Sequence, residues 1–221
     1  MLDAFESIAA GAGFALPPLL ADWYRRGLTT PAGDTVPALG SDYDIEWLDP
    51  PACRQTIDEW LNPQAQQGIA FFPFAQSGAG DAYCLVRLPD QRHGVACVLH
   101  DADDSTLQYA SFDAFVAARF TQVFGDLGAV PVEGLDAAQV AQFVQQDVAR
   151  CIEAMEAPLR ELLRQQSRLP VQSLDYRSGP KARPQTVDAL IPQAVQQAQL
   201  ASLELASPPG AFAIVPRWEL E

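Results

Sequence analysis

Basic residues, histidine and paired cysteine are what this chain has least of. Fourteen Lys and Arg stand against 28 Asp and Glu, giving a net charge of −14 and a pI near 4.4. Phosphate contacts need clustered cations, so this balance argues against a nucleic-acid-binding surface. It suits docking onto a basic partner, although acidic surfaces also serve solubility alone. The four cysteines, Cys53, Cys84, Cys97 and Cys151, are scattered without a CxxC pair, which speaks against a disulfide framework or a zinc site. No apolar run approaches the roughly 18 residues of a membrane helix. Asp3 and Glu6 stand where a secretory signal would be positive. These absences predict a soluble, reduced, cytoplasmic protein with neither nucleic acid nor membrane as partner.

Catalytic patterns are missing too. The two histidines, His93 and His100, fall in or beside predicted turns. No Gly-x-Ser-x-Gly elbow occurs, because Ser77 precedes Gly-Ala-Gly but lacks the glycine two residues earlier. Gly78-Ala79-Gly80 has no Gly-Lys-Ser/Thr ending and is followed by Asp81, which would repel a phosphate. Asp101-Ala102-Asp103-Asp104 starts like a calcium loop, yet Thr106 and Phe112 replace the required Gly and Glu. A hydrolase built on Cys84 with His100, or on a pair of carboxylates, stays open without any motif selecting it. No catalytic, metal-binding or cofactor-binding residue is assigned.

What is present is a real core, with 48% hydrophobic residues. The chain is organised around Ile69–Leu88. Apolar residues at 82, 84, 86 and 88 alternate with Tyr83, Leu85 and Arg87, as a strand requires. Before them Phe72 and Phe74 flank Pro73, which predicts an edge strand or a strand end. Ser77-Gly78-Ala79-Gly80-Asp81 reads as the connection that fixes the two strands. Upstream, Leu2–Ala9 has helical spacing. A second helix opens at Pro17-Pro18 and carries the stripe Leu19, Leu20, Trp23 and Tyr24, read first as core. Residues 28–44 read as loop and Asp44–Leu48 as a strand, followed by a helix capped by Asp49 and stopped by Asn62-Pro63. Strands are predicted at Val95–Leu99 and Thr106–Ala110, then a helix from Ser111 to Gly125.

After that helix the composition shifts toward Ala and Gln. Helical spacing covers residues 135–155, resumes after Pro158, and returns from Thr186 to Ala206, with residues 170–185 as an exposed connection. The tail from Ser207 offers Phe212 and Ile214 as a last strand. The order predicts an α+β fold with a mostly antiparallel central sheet flanked by helices, and a helical C-terminal extension. The boundaries are 1–125 for the core and 126–221 for an extension packed on or beside it.

The succession Leu16-Pro17-Pro18, the strand Ile45–Leu48, Phe72-Pro73-Phe74-Ala75, Gly78-Ala79-Gly80-Asp81 before Tyr83-Cys84-Leu85, and the helix start Ser111-Phe112-Asp113-Ala114-Phe115 resembles the SUKH superfamily over residues 14–124. That superfamily includes a fungal cell-wall-synthesis regulator family and many bacterial immunity proteins. The resemblance implies protein binding rather than catalysis, in many members the neutralisation of a toxin encoded nearby, often a nuclease. A cell-wall-type regulatory or scaffold protein is the alternative, in which the core would stay folded without residues 126–221. Partner contact is assigned to the turn acids Asp81, Asp101, Asp103 and Asp104, joined by Trp23 and Tyr24 should their helix be exposed.

Overall fold

Both faces of the run Ile69–Leu88 are buried, and the architecture follows from that. In the computed structural model, which describes residues 1–31, 36–42, 44–177, 179, 181–205 and 211–220, the run forms strands β2 (Ala70–Gln76) and β3 (Ala82–Arg87). They lie between β1 (Glu46–Trp47) and β4 (His93–Val98) in an antiparallel sheet of order β1-β2-β3-β4. Helices and small sheets surround it, so the class is α+β. Parts of three predicted segments, the loop at residues 28–44, the connection at residues 170–185 and the tail from Ser207, lie outside the described residues, as does Ala206.

Pro73 sits within an interior strand, where an edge or a strand end was predicted. The reason is local. β1 pairs only with Ala75 and Gln76, and the β2–β3 register shifts between Pro73 and Ala75. Proline's missing donor therefore falls at a bulge beyond the end of β1, where little of the ladder is lost.

One sheet face carries Phe72, Phe74, Tyr83, Leu85 and Val95. It packs against α1 (Leu2–Gly11), α2 (Pro18–Arg26) and α4 (Phe112–Gly125), the last capped by Ser111 Oγ, which accepts from Ala114 N. The stripe on α2 is core: Leu19, Leu20 and Trp23 are 0% exposed and Tyr24 is 1% exposed. This removes Trp23 and Tyr24 from any partner surface. Trp23 Nε1 instead donates to Cys151 O at 2.7 Å, and Tyr24 stacks on Phe5.

The opposite face carries Phe71, Cys84, Val86, Ala96 and Val98. Trp60 and Leu61, just after α3 (Pro50–Glu59), cover it together with Leu107, Phe212 and Ile214. Ile214 follows β8 (Ala211–Ala213), which pairs antiparallel with β5 (Asp104–Thr106). The tail strand expected from Phe212 and Ile214 is thus present. β5 lies earlier than the predicted Thr106–Ala110 and shares only Thr106 with it: Asp104 and Ser105, read as turn, belong to the strand, and Leu107–Tyr109 turns back to bond Val95.

Residues beyond 125 are packed into the same core. From α5 (Ala137–Cys151), Val140, Val144 and Val148 join the cluster of α2 and α4, as does Leu163 of α6 (Ala157–Gln166). The segment predicted as connection and helix contains a hairpin, β6 (Gln172–Tyr176) with β7 (Gln185–Ala189), and α7 (Gln193–Leu203) begins only after Pro192. α7 settles the end of α4. Gln196 Nε2 donates to Gln122 O at 3.0 Å, and Leu190 N and Ile191 N donate to Phe124 O. A Cβ at Gly125 would lie 2.1 Å from Gln196 Nε2, so a side chain there would displace the Gln196 amide. A core of residues 1–125 alone would lose the donors to these carbonyls and the part of the second face's cover that Phe212 and Ile214 supply.

Among the described residues the Tyr24 hydroxyl is buried without a hydrogen-bond partner, and burial raises its pKa well above the ordinary value. An unpaired buried hydroxyl costs about 1–3 kcal/mol. Tyr24→Phe keeps the stacked ring and removes that cost, so a higher thermal midpoint is expected; a fall would show that the hydroxyl contributes a bond of its own.

Candidate functional site

The antiparallel register places Glu46, Gln76, Ala82 and Val98 in one row across the end of the sheet. Everything that leaves or enters there meets at that end: Asp44 before β1, the turn 77–81, and the stretch 99–104 after β4. The structure thereby brings together all four acids assigned from sequence, and adds Asp44 and Glu46. Asp101, Asp103, Asp104 and Glu46 are exposed, whereas Asp44 and Asp81 are partly buried.

Asp81 is the organiser of this end. Its Oδ1 accepts from His100 N at 3.2 Å and lies 2.8 Å from His100 Nδ1, tying the second turn to the first. Its Oδ2 accepts from Ser77 Oγ at 3.1 Å, and Ser77 Oγ in turn accepts from Ala79 N and Asp81 N. Burial alone would raise the Asp81 carboxyl, but the bonds from His100 and Ser77 outweigh it and hold its pKa below the ordinary value. Asp44 bridges from the other side, accepting from Gly78 N at 3.1 Å and from the Tyr83 hydroxyl at 3.3 Å.

Serine, histidine and aspartate therefore meet, but not in the order of a nucleophilic triad. There the imidazole stands between hydroxyl and carboxylate; here both groups bond the same carboxylate, and Ser77 is buried. The constellation locks two turns. The Cys84 thiol is 0% exposed, and burial pushes its pKa well above the ordinary value. It does not approach His100 as a reactive thiolate would. Among the described residues no group of three or more His, Cys, Asp or Glu is arranged to hold a metal ion, and no helix is long and apolar enough to cross a membrane.

Behind the acids lies an ion pair that sequence reading missed. Arg119 of α4 is paired through its guanidinium with Asp42, and stands over the Tyr83 ring at 5.7 Å. Burial alone would lower its pKa; the Asp42 carboxylate outweighs that and raises it. Arg119 and Asp42 are 77 positions apart, and neither belongs to a local motif. Arg119 forms part of a cleft of about 500 Å3 beside Asp104, Tyr109 and Glu204. A second cleft, of about 510 Å3, lies away from the acidic end between Phe14, Pro18, Val95, Phe112 and Met155, with Arg87 and His93 at one side and Asp113 and Glu156 at the other.

No protein-family model matches the chain, and no curated protein and no solved structure matches it.

Two outcomes test the turn lock. Gly80 has φ +93°, a conformation costing a β-branched residue about 1–3 kcal/mol, while a side chain there would meet open space. Gly80→Val should lower the thermal midpoint through backbone strain, whereas Gly78→Ala, with ordinary φ and open space, should leave it nearly unchanged; equal melts for the two would refute this. The second outcome concerns acid. A carboxyl whose folded pKa is depressed contributes stability above its unfolded value of about 3.9, lost as pH falls through the folded value. The stability gap between the protein and Asp81→Asn should therefore be full at neutral pH and shrink below about pH 4; a gap independent of pH would remove the charge from the account.

Proposed function

We propose that the protein is a binding module of the immunity type, which holds and neutralises a toxin domain by direct contact through the acidic end of its sheet. The observation that carries this reading is the convergence of Asp81, Asp101, Asp103 and Asp104, with Asp44 and Glu46, on one end of a cross-bonded sheet. A nuclease site is basic because it must hold phosphate, and an array of fixed carboxylates is complementary to it. The resemblance of residues 14–124 to the SUKH superfamily supports the same class. Four free cysteines suit action in the reducing cytoplasm.

The lock around Asp81 matters to this reading. Surface carboxylates on mobile loops lose conformational entropy when they bind, and turns already held by cross-strand bonds lose less. Complementary charge also accelerates encounter, an effect that salt weakens.

The test asks whether a toxin-like product is encoded beside this chain, the absence of one counting against the reading, and uses that product in catalytically inactive form for binding and in active form for cell survival. Wild-type chain should co-purify with it and rescue cells. Asp101→Asn, Asp103→Asn and Asp104→Asn together should slow association by about tenfold or more at low salt. Failure to bind and to rescue overturns the reading; binding insensitive to both salt and the triple substitution moves the contact to another face.

A further inference from the structure

The cleft away from the acidic end carries unneutralised charges of opposite sign at its two ends. It measures about 510 Å3 and runs along the first sheet face from the pair Arg87–His93 to the start of α4. Val95 N donates to Tyr109 O at 2.8 Å, which brings the stretch Ala110–Asp113 to the strand that begins at His93. Between the ends the lining is apolar. Leu85, Val95, Phe112 and Met155 are buried members of the core, and Phe14 packs against them. An apolar cleft of this size with a few polar groups at its margins has the make-up of a small-molecule site.

At one end Arg87 is set in place without an acid. Its Nη1 donates to Gly13 O at 2.6 Å, and the guanidinium stands over the Phe14 ring at 5.5 Å. Gly13 has φ +81°, and a Cβ there would overlap Arg87 Nη2, so a side chain would displace the guanidinium. Among the described residues Arg87 has no carboxylate partner. At the other end Asp113 is 7% exposed. Its Oδ2 accepts from Glu156 N at 2.7 Å, and Oδ1 has no partner among the described residues. By contrast Asp147, the other buried acid among them, has donors on both oxygens. Burial raises the Asp113 pKa and outweighs the bond from Glu156 N, and the Glu156 carboxylate adds to the rise. Two carboxylates thus border one apolar cleft with no cation between them.

We infer that this cleft binds a small zwitterion whose charges are separated by an apolar body, its carboxylate meeting Arg87 and its ammonium meeting Asp113 Oδ1 and Glu156. A guanidinium presents the paired donors that a carboxylate accepts. An ammonium supplies the donor that Asp113 Oδ1 lacks and offsets its repulsion from Glu156. The apolar body covers the lining between them and removes that surface from water. Net charge selects in the same direction. An anion would approach a −14 chain against its field, and a simple cation would leave Arg87 unanswered; a molecule of zero net charge meets neither penalty. The inference stands apart from the binding reading above, because Arg87 and His93 lie at the opposite end of β3 and β4 from Ala82 and Val98.

The experiment is titration calorimetry of the full chain with ω-aminohexanoate, ω-aminooctanoate and ω-aminoundecanoate, each beside the alkanoate and the alkylamine of the same length. At least one zwitterion should bind about tenfold or more tightly than both of its single-charge counterparts. Arg87→Gln should bring that zwitterion down to the affinity of the alkylamine and leave the alkylamine itself unchanged. Asp113→Asn, which keeps an acceptor for Glu156 N, should bring it down to the alkanoate and leave the alkanoate unchanged. A merely structural role for either residue would weaken all three ligands together. Ala15→Trp, at an exposed position of the lining, should weaken all three while the melt stays unchanged. Should Asp113→Asn melt lower, Glu156→Gln takes its place and has to show the same selective loss. The ranking of the ligands on the wild-type chain needs no variant, so a folding defect in one leaves the test standing. Absence of zwitterion binding at every length overturns the inference. So does equal affinity for the zwitterion and its counterparts, or a preference that survives Arg87→Gln, the carboxylate variants and Ala15→Trp.

Discussion

The constraint on which the structure depends is that the central sheet is apolar on both faces. A sheet with one wet face needs a single cover. Here Phe72, Phe74, Tyr83 and Leu85 point one way, and Phe71, Cys84, Val86 and Val98 the other, so two covers are obligatory. α1, α2, α4, α5 and α6 provide the first. The second is assembled from pieces far apart in sequence: Trp60 and Leu61 after α3, Leu107 beyond β5, and Phe212 and Ile214 near the end. The tail cannot leave without exposing apolar surface at roughly 25 cal/mol per Å2. Its position beside residues 100–106 is therefore a consequence of core formation, and the acidic end inherits a rigid neighbour.

Polar groups are accounted for with the same economy. Asp147 of α5 is buried, accepting from Ser41 N and Ser41 Oγ and pairing with Arg150, whose guanidinium also reaches the carbonyls of Val36 and Pro37. Asp42 pairs with Arg119. Segment 36–42 is thereby pinned to α4 by the Asp42–Arg119 ion pair and to α5 by the bonds of Ser41 to Asp147 and of Arg150 to the Val36 and Pro37 carbonyls. Leaving one partner of such a pair buried alone is destabilising, which makes these pairs fasteners for the loop that leads into β1. Asp44, two residues beyond Asp42, then reaches Gly78 and Tyr83. The acidic end is thus connected through a short stretch of chain to the centre of the helical layer.

Local signals were legible in the sequence and long-range ones were not. Alternation at 82–88 marked β3, Asp49 and Ser111 marked helix starts that the structure caps through Ala52 N and Ala114 N, and the stripe on α2 marked core. Pro73 misled because a proline reports only its own missing donor; the early end of β1 that makes it harmless lies 26 residues upstream, at Trp47. The hairpin β6–β7 was read as connection and helix, since its strands offer few large inward apolar residues, Leu174 and Val187 with the small Ala189, and Pro, Ser and Arg dominate between them. Gly125 looked like a helix stop by conformation, whereas in the structure it also makes room for the Gln196 amide. Of the six residues assigned to partner contact, the four turn acids converge and the two aromatics are core. Trp218, exposed among the described residues, lies in a proline-bearing tail with no periodicity to single it out.

Convergence of the turn acids is a product of antiparallel pairing. β2 and β3 are joined by a five-residue turn, and β3 and β4 exchange partners from Ala82–Val98 to Arg87–His93. The turn at Asp81 must therefore meet the exit of β4 at His100, whatever the chemistry of either. Composition decides what that meeting becomes. Placing lysine in either turn would make a self-satisfied salt bridge; placing aspartate in both leaves His100 to bind Asp81 and the remaining carboxylates facing outward. Like charges held on adjacent turns repel at a cost that cross-turn bonds and the packed tail must offset. A fold that retains such repulsion at one end of its central sheet concentrates negative potential there.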